Sequence, residues 1–365
     1  MFLRRPQKSI MKNNFNNLSL RKKILFSIIP LIILLIFAEM GARFIYFEKT
    51  KKSSEPLALI STYRYIKVRL LRRQANKIVG ELPEGKNLTK ALYSDMGKEL
   101  LDSFKLEYED NFKLLVEEAN KIGSKFIVLY APLDHYKSSS TLDDSRQFFS
   151  GLAEKYNVDF LDMTDDFFQY SEETVTLLPE NGHLSRFGNK LVIERLSEYI
   201  DKYNDYRMNF QFDSRPKLFG DLSSNHNSVW EIVPDLPYRV IANKQGLRMN
   251  YNLAFPKEKQ RILILGDSCT FGPYLANYNT YPALLDKRYP DKEVINAGIA
   301  GYTITDETSL FIERAKYAEP DITILQVIDN DIYGLFYFRR NQFNREGKVY
   351  QPSKVEIEFL NKVKE

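Results

Sequence analysis

The sequence Arg261-Ile-Leu-Ile-Leu-Gly-Asp-Ser-Cys-Thr-Phe-Gly272 joins a β-branched apolar run to a turn bounded by glycines. The apolar run predicts a buried parallel strand, and the turn leads through Thr270 into a helix. Open α/β sheets place their chemistry at the carboxyl ends of such strands. Ser268 therefore occupies a position where a functional hydroxyl group is expected.

Strands and helices alternate on both sides of this stretch. This alternation predicts an α/β fold, a three-layer α/β/α sandwich around a central parallel sheet. The connector over about 204–260 is less regular and contains a predicted turn over 243–248, and the tail over about 334–365 shows no clear element. Strands are predicted at Lys125–Tyr130, Val158–Asp162, Arg261–Leu265, Lys292–Asn296 and Ile322–Val327, and helices over about 106–122, 142–156, 184–200, 278–289 and 303–318.

Length and composition set the outer bounds. The chain has 365 residues, of which 44% are hydrophobic and 27% charged, which fits one large or two modest globular domains. The net charge is +4, from 52 basic and 48 acidic residues, so charge gives no reason to expect a nucleic-acid partner. A single cysteine excludes an intramolecular disulfide.

The N-terminus carries a membrane signal. Residues 1–23 are rich in lysine and arginine, and residues 24–47 are apolar apart from Glu39 and Arg43. This length reaches the roughly 20 residues that a bilayer core requires, and the basic flank places the N-terminus in the cytoplasm. We expect an uncleaved, single-pass signal anchor in the cytoplasmic membrane, with the remaining chain outside; a buried core helix is the alternative.

Three successive strand ends carry residues suited to acyl transfer. Ser268 follows the first, the glycine turn 296–303 follows the second, and Asn330 follows the third. Together they offer a hydroxyl nucleophile and N–H donors for an oxyanion. The histidine that such a serine requires is not downstream of it. The only suitable one, His183, lies upstream.

These residues resemble the conserved blocks of the SGNH (GDSL-type) hydrolases. Gly266-Asp-Ser268, Gly301 and Asn330 are similar to the first three blocks. Glu180-Asn-Gly-His183 is similar to the last block, Asp-x-x-His, with glutamate in place of aspartate. Ile328 stands where the third block usually has glycine. The last block precedes the first in this chain, which indicates a circular permutation.

The resemblance implies a role for each residue. Ser268 would be the nucleophile, His183 its general base, and Glu180 the carboxylate that orients the imidazole. The backbone N–H groups of Ser268 and Gly301, with the Asn330 side chain, would form the oxyanion hole. The flavodoxin-like domain would then be assembled from two segments of the chain. The predicted order is a cytoplasmic N-terminus (1–23), the transmembrane anchor (24–47), the C-terminal half of the SGNH-like domain (57–204), a connector (205–260) and the N-terminal half (261–365).

The function expected from these features is hydrolysis of an O-acyl ester on a small molecule, glycan or lipid of the cell envelope. The alternatives are an O-acyltransferase with a sugar acceptor and a non-catalytic module that binds glycans or partners. No cofactor is expected, because three histidines and one cysteine show no metal-ligand cluster and the glycine turns match no phosphate or dinucleotide loop. A domain-swapped homodimer would be the alternative assembly of the two halves.

Each site residue also has a purely structural interpretation. Ser268 would be a helix N-cap, His183 a surface histidine in front of a helix, and Glu180 a solvated carboxylate. Asn330 would belong to an ordinary turn. Cys269 is interpreted as a small buried residue and not as a reactive thiol.

Overall fold

A five-stranded parallel sheet forms the centre of the fold. The structure is a computed structural model and describes residues 36–41, 90–133, 139–177, 182–231, 237–336 and 352–364. The sheet order is β2-β1-β7-β5-β6, and β3 and β4 form a separate antiparallel hairpin. In chain order the strands are β1 (Lys125–Tyr130), β2 (Asp159–Asp162), β3 (Asn227–Trp230), β4 (Tyr238–Ile241), β5 (Gln260–Leu265), β6 (Lys292–Asn296) and β7 (Ile322–Val327).

The sheet joins the two segments of the chain. Strand β1 pairs with β7 in register from Lys125 opposite Ile322 to Tyr130 opposite Val327. If the strands are renumbered 1 to 5 in the order β5, β6, β7, β1 and β2, the sheet order becomes 2-1-3-4-5. This is the flavodoxin-like order. In that order the strand sequence reverses between β5 and β7. Ligands bind outside the carboxyl ends of the strands at this switch point.

Helices cover both faces of the sheet, as the sequence predicts. Successive residues of β5 face opposite sides, so Leu263 packs under α1, α2 and α8, whereas Ile264 packs under α5 and α7. The protein is therefore an α/β sandwich of three layers. The helices are α1 (Lys98–Lys121), α2 (Ser139–Lys155), α3 (Thr164–Phe168), α4 (Glu172–Val175), α5 (Arg186–Lys202), α6 (Ser268–Phe271), α7 (Tyr281–Arg288), α8 (Ile304–Glu313) and α9 (Lys354–Lys364).

The tail, which was expected to lack a clear element, and the less regular connector both contain secondary structure. The tail includes α9, whose Phe359 packs on Phe336, which in turn packs on Phe104 of α1. The apolar residues of α9 recur at helical spacing, but the many charged residues between them obscure this pattern in the sequence. The connector contains the β3–β4 hairpin. The expectation for the tail was wrong because the burial of α9 depends on residues that are distant in the sequence.

The N-terminal region forms a unit of its own. Internal contacts divide the chain into Met1–Lys67 and Val68–Glu365. In the first unit, residues 36–41 are helical, and the rest of the predicted anchor over 24–47 lies outside the described residues. Among the described residues, no helix has the length and apolar character needed to span a bilayer.

Candidate active site

The serine turn begins where β5 ends. Gly266 has φ +152°, and a Cβ atom at this position would collide with the Thr270 hydroxyl. Ser268 then starts the single helical turn α6, which Gly272 ends in the left-handed conformation at φ +75°. The two glycines therefore allow the chain to reverse sharply and hold Ser268 at the carboxyl edge of the sheet, beside the switch point.

Asp267 controls the immediate surroundings of Ser268. It is the N-cap of α6, and its Oδ1 accepts a hydrogen bond of 2.8 Å from the backbone N–H of Cys269. Ser268 Oγ donates to Asp267 Oδ2 over 3.3 Å, which is long for a hydroxyl donor. Burial raises the pKa of the Asp267 carboxyl group. The serine hydroxyl is thus held only loosely and can reorient toward a base.

The segment that carries His183 lies against this turn. Cys269 Sγ is 3.8 Å from the carbonyl oxygen of Gly182, so neighbours of Ser268 and His183 are in direct contact. His183 is half-buried, and its carbonyl accepts a hydrogen bond of 2.8 Å from the N–H of Leu177. Cys269 itself is buried, in agreement with its interpretation as a small buried residue. The structure thus brings together two segments that lie far apart in the sequence.

An aromatic cluster that no sequence motif predicted lies against the histidine through Tyr274. The Tyr274 ring meets the His183 ring edge-on at 5.8 Å and the Tyr238 ring at 5.7 Å. Tyr274 has φ +64°, which is strained for a residue with a bulky side chain. Trp230 of the hairpin stacks on Phe271 of α6 at 5.6 Å. The connector therefore builds one wall of the candidate site.

The glycine turn after β6 is clamped to the serine turn. Asn296 Nδ2 donates to the carbonyl of Thr270 at 3.1 Å, and Asn296 Oδ1 accepts from the N–H of Gly298 at 3.0 Å. A Cβ atom on Gly298 would lie 2.6 Å from the Thr270 side chain. Gly301 adopts φ +77° in the same turn. The absence of a side chain at Gly298 thus allows the glycine turn after β6 to approach the serine turn closely. No motif in the sequence indicates this role.

The loop after β7 completes the edge of the site. Asn330 is half-buried, and its neighbour Asp331 accepts a hydrogen bond of 3.0 Å from the N–H of Ile328 through Oδ2. Asp329 Oδ1 accepts from the N–H of Leu133 at 2.9 Å, which ties this loop to the end of β1. Ile328 is itself buried in the core below α5 and α7. The side chain of Ile328 therefore packs inward, away from the edge of the site.

Buried carboxyl groups line the same region. Burial raises the pKa of Glu307, in the first turns of α8, well above its ordinary value, and the charges of Asp331 and Asp267 raise it further. The pKa of Asp331 is raised in the same way, by burial and then by Asp267. Within the described residues, no three histidine, cysteine or acidic side chains converge as a metal site. Glu307 carries no sequence signal beyond its position in an amphipathic helix.

A buried arginine of the connector supports the serine turn from behind. Arg248 donates from its guanidinium group to the carbonyls of Phe271, Gly272 (2.8 Å) and Leu275 (2.6 Å), and Nε donates to Asn277 Oδ1 at 3.0 Å. The guanidinium carbon also lies 4.3 Å from the Phe271 ring centroid. Burial lowers the pKa of Arg248 to about 10. The carbonyls that end α6 are thereby satisfied by a side chain and fixed in place.

Glu180, the predicted partner of His183, lies outside the described residues.

No protein-family model matches this chain, and no curated protein sequence matches it. Among solved structures, the chain is similar to the O-acetyltransferase domain of AlgJ from Pseudomonas putida. The similarity has a TM-score of 0.43 and a sequence identity of 13%, and it covers 64% of this chain and 86% of that domain.

Proposed function

We propose that this protein is a serine acyl-ester hydrolase of the SGNH type. The observation that carries the proposal is the contact between the Ser268 turn and the His183 segment, made by Cys269 and Gly182 at 3.8 Å. A serine at the carboxyl end of a central parallel strand, in a turn that contacts a histidine-bearing segment and a glycine turn, has the parts of a nucleophilic acyl-transfer site.

The proposed reaction has two half-reactions. Ser268 Oγ attacks the ester carbonyl while His183 takes its proton, and the resulting oxyanion is stabilised by the N–H groups of Ser268 and Gly301 and by the Asn330 amide. The C–O bond to the leaving alcohol then breaks, and His183 returns the proton to that alcohol. Water attacks the acyl-enzyme, again with His183 as the base, and releases the carboxylic acid and free Ser268.

The sequence supports a location for this activity. The basic residues 1–23 and the apolar residues 24–47 would anchor the domain on the outer side of the cytoplasmic membrane. O-acyl esters of envelope glycans or lipids would be the substrates available there. Glu180 would orient His183, as the sequence resemblance implies.

Acyl transfer to a hydroxyl group other than water is the second candidate. It is favoured by the edge-on contact of Tyr274 with His183 and by the adjoining Tyr238 ring. Aromatic side chains around a general base reduce the access of water, and a bound alcohol would then compete for the acyl-enzyme. Product analysis with and without an added alcohol distinguishes the two reactions, because only transfer yields a new ester.

The test is turnover of p-nitrophenyl acetate by the purified full chain. Replacement of Ser268 or His183 by alanine should lower kcat/KM by roughly a thousandfold. The matched control is Ser150→Ala, because Ser150 lies on the exposed side of α2 and bonds only within its own helix. A fluorophosphonate probe should label the wild-type protein and the Ser150 variant but not the Ser268 variant. Full activity of folded Ser268→Ala protein would refute the proposal.

A further inference from the structure

A large cavity lies beside the segment that leads into β5. Its volume is about 870 Å³, and Ala254 and Phe255 at its wall precede the amino end of β5, whereas Ser268 follows the carboxyl end. The six residues of β5 separate the two regions by roughly 20 Å. The cavity is lined by the segments 215–219, 244–245 and 253–255, together with Ser224.

The floor of this cavity is apolar. Phe219 and Leu253 are almost completely buried beneath it, and the Phe255 ring meets Phe219 edge-on at 5.8 Å. Gln245 contributes no free polar group, because its Nε2 donates to the carbonyl of Leu253 at 2.8 Å and its Oε1 accepts from the N–H of Leu253. A ligand on this floor would therefore contact hydrocarbon and aromatic surface.

The rim is cationic and has no carboxylate of its own. Arg215, Lys217 and Lys244 line the cavity and are exposed, and no acidic residue lines it. Arg215 is already paired with Glu319 and lies 4.3 Å from the Phe255 ring centroid. Lys217 and Lys244 form no ion pair with any residue that the structure describes. Two exposed lysines, unpaired among the described residues, thus line an apolar cavity.

We propose that this cavity binds a fatty-acid anion, with the chain on the floor of Phe219, Leu253 and Phe255 and the carboxylate between Lys217 and Lys244. The volume lies within the usual range for small-molecule sites, about 300–1,000 Å³. Lysines act as point charges that suit a single carboxylate. A phosphate group would favour the fork of an arginine, and that of Arg215 is engaged by Glu319. The site is distinct from the serine turn and does not depend on the proposed esterase activity.

Calorimetric titration of the full chain with hexanoate, octanoate and decanoate tests the inference. Each methylene group that becomes fully buried should tighten binding about fourfold, so decanoate should bind at least about tenfold more tightly than octanoate. Decanol, which has the same chain without the charge, should bind about tenfold more weakly than decanoate. The Ser268→Ala variant should give the same constants, because Ser268 does not line the cavity.

Substitution of both rim lysines locates the site. The double variant Lys217→Gln, Lys244→Gln should lose about tenfold in decanoate affinity and keep its affinity for decanol. Both lysines are exposed, so the two substitutions should leave the fold intact. The matched control is Lys190→Gln, because Lys190 is exposed on the outer surface of α5. Absence of saturable binding, equal binding of decanol and decanoate, or an unchanged double variant would overturn the proposal. Competition by inorganic phosphate as strong as that by decanoate would overturn it in favour of a phosphate site.

Discussion

Replacement of Arg248 by methionine should separate the support of the serine turn from its chemistry. Arg248 is 3% exposed, and its guanidinium group serves four acceptors: the carbonyls of Phe271, Gly272 and Leu275 and the amide oxygen of Asn277. Methionine is similar in length and fills the space, but it donates no hydrogen bond. The substitution therefore removes the donors and keeps most of the packing.

The expected cost follows from those contacts. Each buried acceptor left without a donor costs about 1 kcal/mol at the lower end of the usual range, so four acceptors cost about 4 kcal/mol. Removal of a buried cation returns about 1 kcal/mol, the lower end of the gain when buried charged groups are replaced by apolar residues. We therefore expect Arg248→Met to lower the free energy of unfolding by about 3 kcal/mol.

Urea denaturation and steady-state kinetics measure the two consequences. The midpoint should fall in proportion to the lost stability, and kcat should fall by about tenfold to a hundredfold, since a displaced nucleophile is poorly aligned. Arg248→Lys should restore part of both quantities. The matched control is Arg239→Met, because Arg239 is exposed and its hydrogen bond within the described residues goes to Asn227 on the neighbouring strand. A variant with the wild-type midpoint and wild-type kcat would show that the guanidinium group does not support the turn.

Three further changes test other contacts of the site. Burial and neighbouring carboxylates raise the pKa of Glu307, so its contribution to the stability of the wild-type protein is lost as the pH rises above about 4. The variant Glu307→Gln should therefore unfold at a higher urea concentration than the wild type at pH 8 and at an equal concentration at pH 4. A difference in urea midpoint that does not depend on pH would contradict this. The variant Gly298→Ala should lower the free energy of unfolding by about 2 kcal/mol and lower kcat, because its Cβ atom would lie 2.6 Å from the Thr270 side chain in the adjacent turn. The control Gly151→Ala, which has open space around the new Cβ atom, should leave kcat unchanged. The variant Asn189→Ala should lower the free energy of unfolding, measured by urea denaturation, by about 2 kcal/mol. The substitution removes the Asn189 Oδ1 acceptor that lies 2.7 Å from the buried backbone N–H of Tyr281. A loss below about 0.5 kcal/mol would show that this hydrogen bond contributes little to stability.

The five sheet strands could be predicted from the sequence because each is a local signal. A strand buried on both faces is a continuous apolar run, so Lys125–Tyr130, Lys292–Asn296 and Ile322–Val327 have the predicted bounds. The other two strands differ from prediction by one residue at their start. The observed sheet order agrees with the flavodoxin-like fold that the sequence led us to expect.

The support of the candidate site could not be predicted, because it depends on contacts across the fold. Tyr274 contacts His183 only after the two segments meet at the switch point. Arg248 stands in a connector without periodicity, and only its burial next to α6 gives it a role. Ser268 could be singled out since its turn is encoded by adjacent glycines.

The pairing of β1 with β7 has a consequence for biosynthesis. The two strands are separated by nearly 200 residues, although they lie side by side in the sheet. At a translation rate of roughly 5–20 residues per second, β1 is complete about 10–40 s before its partner exists. During this interval β1 presents an unpaired apolar edge, the kind of surface that aggregates or recruits chaperones. The central position of the last-made strand means that the apolar core closes only when β7 inserts between β1 and β5.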